Sequence, residues 1–205
     1  MRLLSLVLDF LFPRTSDAML AASATPEMLR TLLDTKQLPA TDPLTSALLP
    51  FKHPTVAALV RSAKYRGDER AQALLGALVS EHLEKTLPGA VIIPIPLSTR
   101  RLKERGFNQC ERIAREALHK RRDARFSLET KLLTRQSESE HQARLGRKER
   151  LRNLRGAFLS QTCDPAIHYV VLDDVITTGT TMREAILSLK RAGAVHLYPI
   201  ALAYA

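Results

Sequence analysis

The chain has 205 residues, no tryptophan, two cysteines and only 5% aromatics. Cys110 and Cys163 stand far apart and share no ligand-like spacing, so neither a disulfide scaffold nor a zinc site is supported. So little cysteine suits a reducing cytoplasm, which is the expected setting. The histidines at 53, 82, 119, 141, 168 and 196 do not pair at metal-ligand spacing. The serine nucleophile signature GxSxG is also absent. No apolar run is long enough to span a bilayer, so no membrane span is expected. The nearest approach, LLSLVLDFLF after Arg2, is interrupted by Asp9 and ended by Pro13 and Arg14, which argues against an export signal. Leu3, Leu4, Val7, Leu8, Leu11 and Phe12 form one stripe there, as in an amphipathic helix docked on the domain or on a partner. Internal repeats and low-complexity tracts are missing too.

What is present suits a packed domain. Hydrophobic residues make up 45% of the chain, enough for a core. The length fits one α/β domain plus a small extra segment. Ser16 to Pro50 is mixed and proline-punctuated, and reads as short helices and loops. Pro54 is placed to open a helix as its first residue, Gly67 to break it, and Asp68 to cap a second helix reaching about Leu87. Ala90 to Ile95 reads as a buried strand, and Asn108 to Lys120 as a helix burying Ile113, Ala114, Ala117 and Leu118. Glu129 to Arg155 reads as a charged, hairpin-like excursion with little β periodicity. A last strand is expected over Val195 to Ala203.

Val170 to Thr181 reads VVLDDVITTGTT and is the most informative stretch. A buried strand runs into Asp173 and Asp174, then into the loop Thr177, Thr178, Gly179, Thr180 and Thr181. Met182, Ala185, Ile186 and Leu189 then fall at helical spacing. Ligands of open α/β sheets sit at this edge. A helix start offers unpaired N–H groups and a positive dipole end, which suit a phosphate. Gly179 permits close backbone approach, and the threonines add hydroxyl donors. Ionised Asp173 and Asp174 would only accept hydrogen bonds, so they suit hydroxyl-rich ribose. Together these features read as a ribose-5-phosphate site. The plain alternative is an ordinary strand end with an acidic, solvated loop.

The run resembles the PRPP-binding signature of type I phosphoribosyltransferases. The resemblance implies that the two acids hold ribose hydroxyls and that Thr177 to Thr181 hold the 5-phosphate. Thr177 stands where the 6-oxopurine members carry an aspartate, which argues against purine salvage. Lys64 to Gly67 spell KYRG, Arg105 to Gln109 spell RGFNQ, and Gln142, Leu145, Arg147, Arg150, Asn153 and Phe158 are spaced as Q-x-x-L-x-R-x-x-R-x-x-N-x-x-x-x-F. With these the chain is similar to the ComF/GntX family, linked to natural competence and the use of external DNA. The likeness covers roughly Phe51 to the C-terminus. Members often begin with a four-cysteine zinc finger after an LFP sequence. Here Leu11, Phe12 and Pro13 have no cysteine nearby, and Ser16 stands about where the first ligand would be.

The resemblance implies a phosphoribosyltransferase-like α/β domain over 51–205, with a mainly parallel twisted sheet and helices on both faces. Residues 1–50 would be a helical and loop segment lacking the finger's cysteines. It implies a pyrophosphate loop at Leu97, Ser98, Thr99 and Arg100. Asn108 and Gln109 follow as ligand contacts or helix caps, and Lys64 and Arg105 as further contacts. Mg²⁺ would come with PRPP, with no direct side-chain ligand, and no zinc is expected. Two functions remain open. One is an enzyme that displaces pyrophosphate from PRPP, with a mobile loop in the 129–155 excursion closing over the site. The other is a non-catalytic PRPP or nucleotide sensor that holds single-stranded DNA or a DNA-uptake partner. The sequence ends at Ala205, after the last strand, so any base-covering hood is expected before about Ile92, where no stacking cluster is obvious.

Charge bears on the same choice. The net charge is +10, and between Arg100 and Arg155 cations outnumber acids by 18 to 8. The middle stretch therefore carries all of the excess. It suits a basic mouth for PRPP, a nucleic-acid track through residues such as Arg147, Lys148, Arg150 and Arg152, or a solvated surface with pairs such as Glu111 and Arg115. Phe107 and Phe126 are the only aromatics there, with Phe158 just beyond, which is poor for base stacking.

Overall fold

The computed structural model describes residues 14–119, 124–136 and 156–205. The docked helix expected around Leu3 to Phe12, and the residues Arg147, Lys148, Arg150 and Arg152, lie outside the described residues. In chain order the helices are α1 (Arg14–Ser23), α2 (Pro26–Thr31), α3 (Pro54–Arg61), α4 (Glu69–Thr86), α5 (Thr99–Arg105), α6 (Gln109–His119) and α7 (Thr180–Arg191). The strands are β1 (Lys36–Leu38), β2 (Thr45–Pro50), β3 (Ala90–Pro94), β4 (Phe126–Leu128), β5 (Leu133–Arg135), β6 (Phe158–Ser160), β7 (His168–Ile176) and β8 (His196–Tyr204).

The main sheet runs β1-β2-β8-β7-β3-β4. Its pairings are all parallel except β1 with β2. The runs IIP and VVLD are nearly continuous in apolar residues because parallel strands are covered on both faces. One face carries α3, α4 and α6, whose Val56, Leu59, Leu75, Leu83 and Ile113 pack with Val170, Leu172 and Ile92. The other carries α7, whose Met182, Ile186 and Leu189 pack with Ile93, Val171 and Tyr169. The fold is α/β with a mainly parallel sheet and helices on both faces, as the sequence suggests.

Two expectations are corrected. Ser16 to Pro50 is more than short helices and loops, because Thr45–Pro50 forms β2 and pairs in parallel with β8, Ser46 opposite Ile200. That strand is six residues of mostly buried side chains without alternation, so its sequence gives no strand period. The Leu97–Arg100 loop is also shorter than expected. The Ser98 hydroxyl accepts from the Arg101 N–H at 3.3 Å, and α5 already begins at Thr99. β5 and β6 pair antiparallel, and most of the excursion between them, residues 137–155, lies outside the described residues.

The strand order fixes where a ligand fits. β3 leads outward to β4, while its neighbour β7 leads the opposite way to β8. The crevice beyond the carboxyl ends of β3 and β7 is therefore a topological switch point. Pro94 of β3 pairs with Leu172, so Asp173 and Asp174 lie on β7 beyond the last β3 pairing, at the edge of that crevice.

Candidate functional site

Neighbouring strand residues leave opposite faces of a sheet. Asp173 and Asp174 do so, and they enter different surroundings. Asp174 turns toward α4 and α6 and is only 6% exposed. Its Oδ2 receives the Lys64 ammonium at 2.7 Å and the Gln109 amide at 2.8 Å. Its Oδ1 accepts the Val175 N–H at 2.6 Å. Gln109 is itself held, its Oε1 accepting from Arg105 at 3.0 Å. Burying a carboxylate is costly unless it is paired and hydrogen-bonded in this way.

These contacts explain why three distant motifs occur together. Lys64 lies in a π-helical turn, Ser62–Arg66, which ends at Gly67 with φ of 64°. A side chain on Gly67 would meet the Phe107 ring at 3.3 Å. KYRG and RGFNQ therefore touch each other, and both reach the acid pair. Asn108 is engaged within the fold. Its amide donates to the Ile95 carbonyl at 3.0 Å, and its Oδ1 accepts the Cys110 N–H at 3.0 Å, as a capping residue does. Cys110, fully buried beside the acids, has its thiol pushed well up by burial and then by the charges of Asp174 and Asp173. It is an inert packing group rather than a nucleophile.

Asp173 faces the α7 side. With Val175, Ile176, Met182 and the loop from Thr177 to Thr181 it lines one cleft. Burial, and then the charge of Asp174, raise its carboxyl to about 7, against the pull of the Asp174 N–H, Lys64 and Arg135. These surroundings disfavour the ionised form of Asp173 that a ribose-holding acid would use. Gly179 sits at φ of 72° and opens α7. A side chain there would lie 2.6 Å from the Ala40 Cβ. Arg183 donates to the Ala40 carbonyl at 2.7 and 3.1 Å, so the β1–β2 connection braces the loop. Thr178 and Thr180 share a 3.0 Å hydroxyl contact. Thr177 and Thr178 are exposed, Thr180 and Thr181 half-buried.

Across the crevice, Leu97 and Ser98 are half-buried, and Thr99 and Arg100 exposed. Arg100 lies 3.9 Å from Glu104 within α5. No residue of α5 is buried, and Arg101 and Lys103 stand in solvent. Sequence reasoning missed Ala40, Arg183, Tyr65 and Arg135. No local pattern marks the first two. Arg135 belongs to β5 and acts on Asp173 only through the fold.

Comparison with known proteins adds names. No family model matches the chain. It is 34% identical over 148 residues to the DNA utilization protein YhgH of Escherichia coli (strain K12), covering 69% of this chain and 63% of that protein. It is 33% identical over 147 residues to the DNA utilization protein YhgH of Salmonella typhi, with the same shares covered. The chain thus spans just under two thirds of the length of the curated relatives it matches. Among solved structures, a phosphoribosyltransferase from Corynebacterium diphtheriae aligns with TM-score 0.38 and 15% identity, over 91% of this chain and 80% of that one. Mycobacterium tuberculosis orotate phosphoribosyltransferase aligns with TM-score 0.40 and 15% identity, over 90% and 81%.

Proposed function

We propose that the chain is a ComF-type, PRPP-binding phosphoribosyltransferase-like protein that serves DNA utilisation. The observation that carries this is the cleft where Asp173, the threonine loop and the start of α7 converge at the switch point. The 5-phosphate would rest on the α7 N–H groups and the hydroxyls of Thr177, Thr178, Thr180 and Thr181. Asp173 would accept from a ribose hydroxyl, which favours its ionised form. The pyrophosphate would lie across the crevice, toward Ser98, Thr99 and Arg100. The name of the relatives supports the link to DNA.

As an enzyme, the protein would break the bond between ribose C1 and pyrophosphate as an acceptor's lone pair forms the new one. Asp173 would orient the sugar while positive character grows at C1. Cations at the start of α5 would face the charge that develops on the leaving group. Mg²⁺ takes oxygen ligands, keeps waters and leans on phosphates. The cleft is lined by threonine hydroxyls and one carboxylate, so the donor set fits a metal carried by the ligand's own oxygens and water rather than by a side chain.

The exposure of α5 favours a second, non-catalytic reading, in which nucleotide binding accompanies contact with single-stranded DNA or an uptake partner. One pair of measurements tests both. PRPP with Mg²⁺ at about 100 times its dissociation constant should stabilise the fold by roughly 2.7 kcal/mol. A melting curve indifferent to millimolar PRPP and Mg²⁺ sinks the site. Binding with no pyrophosphate released to bases or DNA selects the sensor.

A further inference from the structure

Tyr65 is an exposed aromatic that adjoins Lys64, the partner of Asp174. It follows Lys64 in the π-helical turn and is 64% exposed. The Arg105 guanidinium stands 5.0 Å from its ring centre, and the Lys64 ammonium 5.9 Å. Both cations lead to one atom. Lys64 reaches Asp174 Oδ2 directly, and Arg105 reaches it through Gln109. Tyr65, Lys64, Asp174, Gln109 and Arg105 thus close a circuit that adjoins Asp173 through the backbone of β7. The turn beneath the ring is fixed by Gly67 and Phe107. The cations contact the ring while leaving most of the residue accessible. Short π-helical turns recur at functional sites because they re-aim one side chain.

We propose that Tyr65, with Arg105 beside it, is a stacking platform for a planar nitrogenous ring. The preferred ligands of the site would then be nucleotides or nucleobases rather than the phosphoribosyl group alone. The inference rests on the phosphoribosyl reading of the cleft and adds the part of the ligand that reading leaves unnamed. Aromatic rings accept any base face, and such stacking contributes about ten-fold or more in affinity by truncation. The neighbouring guanidinium adds a planar cation that also suits bases. The interaction needs no buried hood, so the lack of a buried aromatic cluster before Ile92 does not count against a base site.

The test is calorimetry on the full chain with ribose 5-phosphate, adenosine 5′-monophosphate and uridine 5′-monophosphate. The nucleotides should bind about ten-fold or more tighter than ribose 5-phosphate. Tyr65→Leu should bring that ratio near one, and Tyr65→Phe should keep it. Tyr65→Trp gives the chain its only tryptophan, since the natural sequence has none. Its fluorescence should be quenched by the nucleotides and not by ribose 5-phosphate. Equal wild-type affinities for all three probes overturn the platform while leaving the phosphoribosyl site intact. So does a Tyr65→Leu variant that weakens all three alike, because the ring then only steadies Lys64. Failure of ribose 5-phosphate with Tyr65-dependent binding of nucleotides keeps the platform and removes the phosphoribosyl reading. Failure of all three removes both.

Discussion

Asp173 and Asp174 are adjacent, yet they belong to differently built halves of the site. Around Asp174 every oxygen is engaged, by Lys64, Gln109 and the Val175 N–H. Around Asp173 the partners are backbone, a threonine loop and a cleft. The first half is fully paired within the fold. The second holds its carboxyl in an unfavourable place, with its pKa raised. Fixed scaffolds commonly carry such strained functional groups. The same residue type thus stabilises on one side of the strand and destabilises on the other.

The largest effect should come from breaking the fully paired half. Asp174→Ala leaves the Lys64 ammonium, itself largely buried, without its carboxylate. Removing one partner of such a pair costs about 3 kcal/mol. Urea unfolding measures it. A loss below about 0.5 kcal/mol would show that the circuit is not structural. Lys64→Met with Asp174→Leu should recover part of the loss, because an apolar pair leaves no orphaned charge.

Next comes the threonine loop. Gly179→Val forces a side chain into φ of 72° and toward Ala40. The strain should cost about 2 kcal/mol and remove PRPP binding. Ala40→Gly in the same chain relieves the contact but not the dihedral angle, so it should restore only part of the stability. Full restoration would show that crowding alone demands the glycine.

Asp173 gives the sharpest contrast with Asp174. Its folded pKa lies near 7 and its unfolded value near 3.8. Between these the folded chain holds a proton that the unfolded chain has released. Stability therefore falls as pH rises through that window. Asp173→Asn cannot ionise, so it should melt higher than the natural chain at pH 8, by on the order of 1 kcal/mol. That advantage should fade toward pH 4, while PRPP affinity is lost throughout. A variant that is equally destabilised at both values would make Asp173 a structural acid like its neighbour.

These contrasts mark how far the sequence could be read. β3, β7, β8 and helices α3, α4 and α7 are legible because apolar runs and caps such as Asp68 are local signals. The acid pair and threonine loop are legible for the same reason. That Asp174 belongs to Lys64 and Gln109 is not, because those contacts arise only when the π-helical turn and α6 pack beside β7. β2 hides between Pro43 and Pro50 in a short run without alternation. Ala40 reaches Gly179 only through the β1–β2 connection. The titration of Asp173 likewise depends on burial and a neighbouring charge, neither of which has a sequence pattern.

The smallest effect on stability, and the one that best separates the two functional readings, is expected on α5. Its Arg101, Leu102 and Lys103 are exposed, with Leu102 46% accessible, and nothing in the helix is buried. Arg101→Gln with Lys103→Gln should therefore leave the melt within about 0.5 kcal/mol of the natural chain. If single strands bind through phosphate contacts, about six of them give a log–log salt slope near −4. Losing two flattens it by about 1.4, equally for all base sequences. PRPP affinity should hold if these two cations serve DNA, since the candidate pyrophosphate residues end at Arg100. A lower PRPP affinity with an unchanged salt slope would instead join α5 to the pyrophosphate side of the crevice. That result would move the protein toward the enzyme. A flattened slope with PRPP binding intact would move it toward the DNA-binding sensor, with two surfaces that work apart.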